Sequence, residues 1–214
     1  MKELSIPKRS QGAKTPKLAF VFTGQGAQWP RMGVDLMQYS VFASSIRKSS
    51  EYLEGLGCPW TLEEEMYKDK SSSRMNEPEI SQPVSCALQI ALVDLLERVN
   101  LRPSVVLGHS SGEVAAAYCK GALSHYSAIK IAYFRGMGGA AACKSEKKQT
   151  MMSVRLSEAQ AITTLNDIYE SYSDIHVACI NSPNNVTLAG NESHLNALKS
   201  ILDQKGIFAP RSKI

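Results

Sequence analysis

Hydrophobic positions along this chain fall into two textures. Leu18-Ala19-Phe20-Val21-Phe22 and Val105-Val106-Leu107 are continuous apolar runs that end in Gly-rich turns, the pattern of buried parallel strands. Between them the spacing is helical, around residues 31–39 and 41–55. Gly57 and Pro59 interrupt, and Thr61 is placed to cap a short acidic helix. A polar loop is expected over Lys68–Glu79, after which Ser81 opens a longer helix. Val84, Leu88, Ala91, Leu92, Leu95 and Val99 form its core face. Arg102-Pro103 then turns the chain into a strand at 104–108, and from Glu113 the Val-Ala-Ala-Ala run favours helix. Gly121 ends that helix, and Ser124 caps another that runs to about residue 140. Strands interleaved with helices in this order predict an α/β layered core.

After the charged break Lys144–Gln149 the pattern changes. A strand is expected at Met151–Leu156, then a helix over Glu158–Tyr169 capped by Ser157. His176–Ile180 and Val186–Ala189 read as strands joined by the turn Asn181-Ser182-Pro183-Asn184. Asn191 starts a helix with Leu195, Leu198, Ile201 and Leu202 on one face, Gly206 ends it, and Ile207–Lys213 suits a last strand. Strand-helix-strand-strand-helix-strand is the ferredoxin-like arrangement. The expected division is therefore a linker remnant at 1–17, a large α/β subdomain at 18–149, and a ferredoxin-like small subdomain at 150–214 inserted into it.

Composition narrows the function classes. The chain has 214 residues, 43% hydrophobic and 21% charged, enough for a sizeable core. A net charge of +4 with no Lys/Arg block among aromatics argues against a nucleic-acid partner. No apolar run reaches membrane-spanning length. Cys58, Cys86, Cys119, Cys143 and Cys179 are odd in number and widely spaced, so they read as reduced thiols of a cytoplasmic protein, with no disulfide framework and no metal site. Lys and Pro in the first 17 residues come without an apolar core or amphipathic stripe, which favours a solvated linker over a transit peptide.

The stretch with chemistry in it is Gly108-His109-Ser110-Ser111-Gly112, a G-x-S-x-G pentapeptide at a strand-to-helix switch. Such a turn needs Gly on both sides because a Cβ would clash, and it pushes the central Ser out at the strand's C-terminal edge. Free N–H groups of the next helix, starting with Ser111, are then placed to hold an oxyanion. A Gly-rich turn without chemistry is the competing explanation, and the strand before and helix after the motif count against it. A second Gly-flanked turn, Thr23-Gly24-Gln25-Gly26, follows the first strand, at the edge where open α/β sheets bind ligands.

These segments together resemble the acyltransferase domain of polyketide synthases, a relative of bacterial malonyl-CoA:acyl-carrier-protein transacylase. TGQGAQW, Gln82-Pro83, GHSSGEVAAAY, the YFRG run Tyr133–Gly136 and NSPNNVTLAG match in order, from Leu18 to Ile214. The wording of GHSSGEVAAAY is similar to the fungal, highly reducing type. The resemblance implies a hydrolase-like parallel sheet in the large subdomain, left incomplete here. It also implies ping-pong transfer, in which Ser110 takes a malonyl group from malonyl-CoA and passes it to the phosphopantetheine thiol of an acyl carrier protein. Other synthase domains would be further partners, and no cofactor or metal is implied. The oxyanion hole maps onto the N–H groups of Gln25 and Ser111. Arg135, on a helix with Ile131 and Ala132 one turn back, maps onto the residue that clamps the extender unit's carboxylate, a task suited to a guanidinium fork. On an apolar side such an Arg needs a partner, and a snorkelling or internally paired Arg is the plainer alternative. Gln82, His109 and Asn181 map near the substrate, although a helix-start Gln and a turn Asn need no such role.

One part of the pattern is missing. The family's general base is a His on a strand reached after the small subdomain, and no residue here follows that motif. His109 adjoins the nucleophile and diverges from it, while His125, His176 and His194 read as ordinary polar histidines. The expectation is a fragment of a longer synthase or a truncated gene product, impaired alone, with an open sheet edge and exposed apolar surface on the large subdomain. A serine esterase or thioesterase on the same elbow is one alternative. A non-catalytic remnant that docks a carrier protein is the other.

Overall fold

The structure, a computed structural model, describes residues 17–143, 148–168 and 173–210. Residues 1–16 of the linker expected at 1–17, and most of the charged break, therefore lie outside the described residues. The chain divides into two compact units, Met1–Ala140 and Ala141–Ile214.

In the first unit, β1 (Ala19–Phe22) and β2 (Val105–Gly108) pair in parallel, with Phe22 opposite Gly108. A 3-10 turn at Val34–Gln38 leads into α1 (Ser40–Gly55), then α2 (Leu62–Tyr67), α3 (Pro78–Arg98), α4 (Gly112–Cys119) and α5 (His125–Cys143). Thr61 occupies the N-cap of α2 without a side-chain bond, whereas Ser124 Oγ accepts from the Ser127 N–H at 3.1 Å. The long helix begins three residues before Ser81: Glu77 is the N-cap and Pro78 stands in the first turn, where its missing N–H costs nothing. Its buried surface is also wider than one face, since Ile80, Cys86, Ala87, Ile90 and Val93 are buried with Val84, Leu88, Ala91 and Leu95. The main core is α1 against α3, with Phe42, Ile46 and Leu53 packed on Ile80, Val84 and Ile90. Each such side chain contributes about 1.5–3 kcal/mol by leaving water.

The two strands are not buried on both sides as their apolar sequence led us to expect. Phe20, Phe22 and Val106 face α3 and α4, where Val93, Ala115 and Ala116 meet them. On the opposite face Val21, Val105 and Leu107 are 67%, 53% and 58% exposed. A parallel pair normally has both faces covered, so this is an open sheet with a bare apolar side.

The second unit is an antiparallel sheet under two helices. β3 (Gln149–Val154), β4 (His176–Ser182) and β5 (Asn185–Asn191) lie in the order β3-β5-β4, with a turn of Pro183-Asn184 tighter than the four residues expected. On the far side of β3, Ser153 and Arg155 donate backbone N–H groups to Pro210 and Phe208. The expected last strand is thus seen as two ladder bonds, its remainder lying outside the described residues. α6 (Glu158–Asp167) opens with a capping box between Ser157 and Gln160, and Asn191 caps α7 (Glu192–Gln204) by accepting from Ser193. Met152, Val154, Val186 and Leu188 pack against Leu195, Leu198 and Leu202.

One buried charge is built into the first unit. Glu65 on α2 is almost fully covered; its Oε1 accepts from Lys68 Nζ at 2.8 Å and from the Arg74 guanidinium. Burial pushes this carboxyl up, but the bonds from Arg74 and Lys68 outweigh it and hold Glu65 below its ordinary value. A lowered folded pKa stabilises above the unfolded value of about 4.3, and that stability is lost as pH falls through the folded value. Arg74→Ala is expected to cost about 2 kcal/mol in urea unfolding near neutral pH. The difference in stability between wild type and Glu65→Gln should shrink as pH drops below about 4; a pH-independent difference would contradict it.

Candidate active site

Ser110 is one of three non-glycine residues with a left-handed backbone among those described, at φ 53°. For an L-residue that conformation is costly and persists only where the surroundings enforce it. Here they do so through glycines. A Cβ on Gly108 would run into the backbone of Gly112 and Glu113, and one on Gly112 into the carbonyls of Phe22 and Thr23. With no side chain at either place, β2 turns into α4 within three residues and α4 lies directly on the end of β1. The His109 N–H is tied to Phe22 O at 2.9 Å, and the Gly112 N–H to His109 O at 3.0 Å. The Ser110 side chain is left exposed at the C-terminal end of the sheet.

The loop after β1 comes to the same place. A Cβ on Gly24 would lie 2.8 Å from His109 O, 2.9 Å from Ser110 Cβ and 3.5 Å from Ser110 Oγ. Gly24 is therefore the glycine that lets this second backbone touch the serine. Among the described residues nothing in the chain accepts from the N–H of Gln25 or of Ser111. The unbonded Ser111 N–H follows Ser110 at the N-cap of α4, and the unbonded Gln25 N–H follows Gly24, the residue that touches it. A hydroxyl set among donors of this kind suits attack on a carbonyl whose oxygen becomes negative.

α3 supports the loop. Gln82 Nε2 donates to Gln25 Oε1 at 2.9 Å, and Gln89 Nε2 to Thr23 O at 2.8 Å. α5 reaches the same part of α3, where a Cβ on Gly136 would lie 2.7 Å from Pro78 O and 3.4 Å from Gln82 Cβ. Contacts thus run from Ser110 through Gly24, Gln25 and Gln82 to the turn of α5 that holds Arg135. Arg135 itself is exposed and makes no ion pair among the described residues, which corrects the expectation of an Arg on an apolar, buried side. Ala132 is buried, but Ile131 and Phe134 are 38% and 53% exposed, so the guanidinium emerges from a solvent-facing apolar strip and needs no internal partner.

The other candidates separate. His109 is exposed beside Ser110. Asn181 belongs to the second unit, near the end of β4, where its Nδ2 donates to Asn185 Oδ1 and Thr187 Oγ1 at 2.8 and 2.9 Å. His125 is buried with Nε2 2.7 Å from Ser49 Oγ, and burial lowers its pKa against the pull of Asp94. His194 Nδ1 is 2.5 Å from Asp174 Oδ1, and His176 is an exposed residue of β4. Cys58, Cys86, Cys119 and Cys179 are free thiols, and burial alone pushes Cys86 up to about 12. Among the described residues no cluster of His, Cys, Asp and Glu could hold a metal ion, and no helix is long and apolar enough to cross a membrane. Sequence reasoning missed Gln89; the only trace of its role is that it sits two turns from Gln82 on the same helix.

The α/β fold is that of acyltransferase domains. The acyltransferase domain from the second module of the salinomycin polyketide synthase superposes with a TM-score of 0.80 at 30% identity, over 94% of this chain and 45% of that one. The malonyl-CoA:ACP transacylase of Synechocystis sp. PCC 6803 superposes with a TM-score of 0.75 at 26% identity, over 93% of this chain and 62% of its own. The chain belongs to the acyl transferase domain family, whose sequence model matches residues 19–214. Among curated proteins it is 46% identical over 216 residues to highly reducing polyketide synthase ZEA2 of Gibberella zeae and 47% identical over 206 residues to reducing polyketide synthase hmp8 of Hypomyces subiculosus. It covers 99% and 96% of itself in these matches but spans only 9% of either synthase.

Gly112→Ala is expected to destabilise the first unit by about 1–3 kcal/mol in urea unfolding, because the new methyl meets backbone that cannot move without separating α4 from β1. Gly138→Ala, where a Cβ meets nothing within 4 Å, serves as the control and should leave stability unchanged or slightly raised.

Proposed function

We propose that the chain transfers a malonyl-type extender unit from CoA to the phosphopantetheine thiol of an acyl carrier protein, as part of a fungal polyketide synthase. The observation that carries this reading is the strained Ser110 with Gly24 packed against it, each followed in the chain by a residue whose N–H is unbonded among the described residues. Ser110 Oγ attacks the thioester carbonyl and gives up its proton to solvent. The carbonyl oxygen becomes an oxyanion that accepts from Gln25 and Ser111. The C–S bond then breaks, and the CoA thiolate leaves and takes a proton. The carrier thiol repeats the sequence on the seryl ester and restores the hydroxyl. No metal or bound cofactor enters these steps.

Arg135 is assigned to the malonyl carboxylate. Its exposure leaves the guanidinium fork available, and α5 touches Gln82, which in turn holds Gln25. Gln82 and His109 are assigned to the acyl-group side of Ser110; Asn181, on the second unit, is a substrate-side residue by resemblance alone. The second unit is read as a ferredoxin-like subdomain, supported by its order β3-β5-β4 and the two ladder bonds from 208–210 to β3. The division at 18–149 and 150–214 and a cytoplasmic location belong to the same reading. His125 is engaged by Ser49 and His194 by Asp174, which leaves the proton acceptor for Ser110 unassigned within these residues. Slow acylation is therefore the behaviour expected of the 214-residue chain by itself.

Incubation with malonyl-CoA followed by intact-mass analysis tests the proposal, in this chain and in one extended C-terminally to the length of the solved relatives. Wild type should gain one malonyl group, faster in the extended chain, and Ser110→Ala none. Arg135→Ala should lose malonyl preference and gain relative use of acetyl-CoA, by about tenfold in the ratio. An adduct on Ser110→Ala, or none on either wild-type chain, would overturn the transfer reading. Release of free malonate without transfer to a carrier would mark an esterase, and carrier binding without any adduct a docking remnant.

A further inference from the structure

We infer that Gln89 is a positioning residue for the acylation of Ser110: its side-chain amide anchors the Thr23 carbonyl and so fixes the Gly24–Gln25 peptide against the nucleophile. The inference rests on the transfer reading and adds a residue to it.

The loop from Thr23 to Gln28 has few supports of its own. Gly24 cannot carry a side chain, Gly26 lies at φ 106°, and among the described residues β1 pairs with β2 alone. Along β1 and α3 runs an apolar cavity of about 530 Å³, lined by Phe20, Phe22, Thr23, Gly24, Trp29 and Gln89 among others. The end of β1 thus borders open space where another strand or a packed side chain would restrain it. At that place Gln89 reaches over from α3 and donates to Thr23 O at 2.8 Å. On the same helix, seven residues earlier, Gln82 donates to Gln25 Oε1 at 2.9 Å. Residues seven apart lie on one face of a helix, so α3 presents two amide donors in line. They hold the loop at Thr23 and at Gln25, and the unbonded Gln25 N–H lies between the two fixed points. Gln28 Oε1 closes the far end by accepting from the Gly26 N–H at 2.7 Å.

An oxyanion donor works by being in place before charge develops, and a misplacement of about 1 Å costs up to a hundredfold in rate. Losing the Gln89 bond frees the Thr23–Gly24 peptide to turn toward the cavity, and the Gln25 N–H turns with it. That N–H bonds most strongly once negative charge has developed on the oxygen, so the loss falls chiefly on the chemical step.

The test compares Gln89→Met, which keeps length but not the donor, with Gln89→Lys, which restores a donor of similar reach. Two readouts are taken on the extended chain. Single-turnover acylation by malonyl-CoA should slow at least about tenfold in Gln89→Met at saturation, with the half-saturating concentration unchanged, and recover in Gln89→Lys. Amide hydrogen exchange at Gly26, followed by NMR, should speed up in Gln89→Met and return in Gln89→Lys, without any change in core amides of α1 and α3. Wild-type acylation rate and wild-type Gly26 exchange in Gln89→Met would overturn the inference. So would a fall confined to apparent affinity. If wild type itself fails to acylate, the transfer reading falls, and the exchange measurement alone decides whether Gln89 anchors the loop.

Discussion

Two backbones meet where Gly24 lies against Ser110, and the site is built outward from that contact. The contact exists because three residues have no Cβ: Gly108 and Gly112 allow the turn to close, and Gly24 allows the neighbouring loop to approach. Together they hold Ser110 in a left-handed conformation that a non-glycine residue ordinarily avoids. The strain is held by bonds that belong to the sheet and helix, such as His109 N–H to Phe22 O and Gly112 N–H to His109 O. Strain of this kind is sustained only by a rigid frame, and the α1–α3 core with its fully buried Phe42, Ile46 and Ile80 supplies one.

The frame is asymmetric. Toward α4 the parallel pair is closely packed, and Ala115 and Ala116 are small enough to let α4 lie close, while toward α3 it borders the apolar cavity. On the opposite side Val21, Val105 and Leu107 stand in water. The polar supports of the loop matter more in such a frame, because among the described residues the strand that carries it pairs with β2 alone.

Much of this was legible in the sequence, for reasons that differ by element. The elbow was readable because its determinants are local: an apolar run, glycines at fixed offsets, then alanine-rich helix. The caps at Ser157 and Asn191 were readable for the same reason, and both make the expected bonds. The start of α3 was misjudged because Ser81 looks like a cap, whereas Pro78, fixed in φ and lacking an N–H, begins the helix earlier. Arg135 was expected on a buried side because Ile131 and Ala132 precede it; only Ala132 faces the core, and the sequence does not say which way the helix is turned. Contacts across the fold were not legible at all. Gln82 meets Gln25 and Gln89 meets Thr23 over 57 and 66 positions, and nothing local in a glutamine announces its partner.

The central claim is that the Gln25 and Ser111 amides, from two separate crossings of the chain, converge on one point beside Ser110. A crystal structure of the protein modified at Ser110 by an alkyl fluorophosphonate tests it most directly, since the phosphonyl oxygen stands where the oxyanion would. This oxygen should accept from both main-chain N–H groups at ordinary hydrogen-bond lengths. An oxygen turned to solvent, or bonded to Ser111 alone with Gln25 swung away, would contradict it.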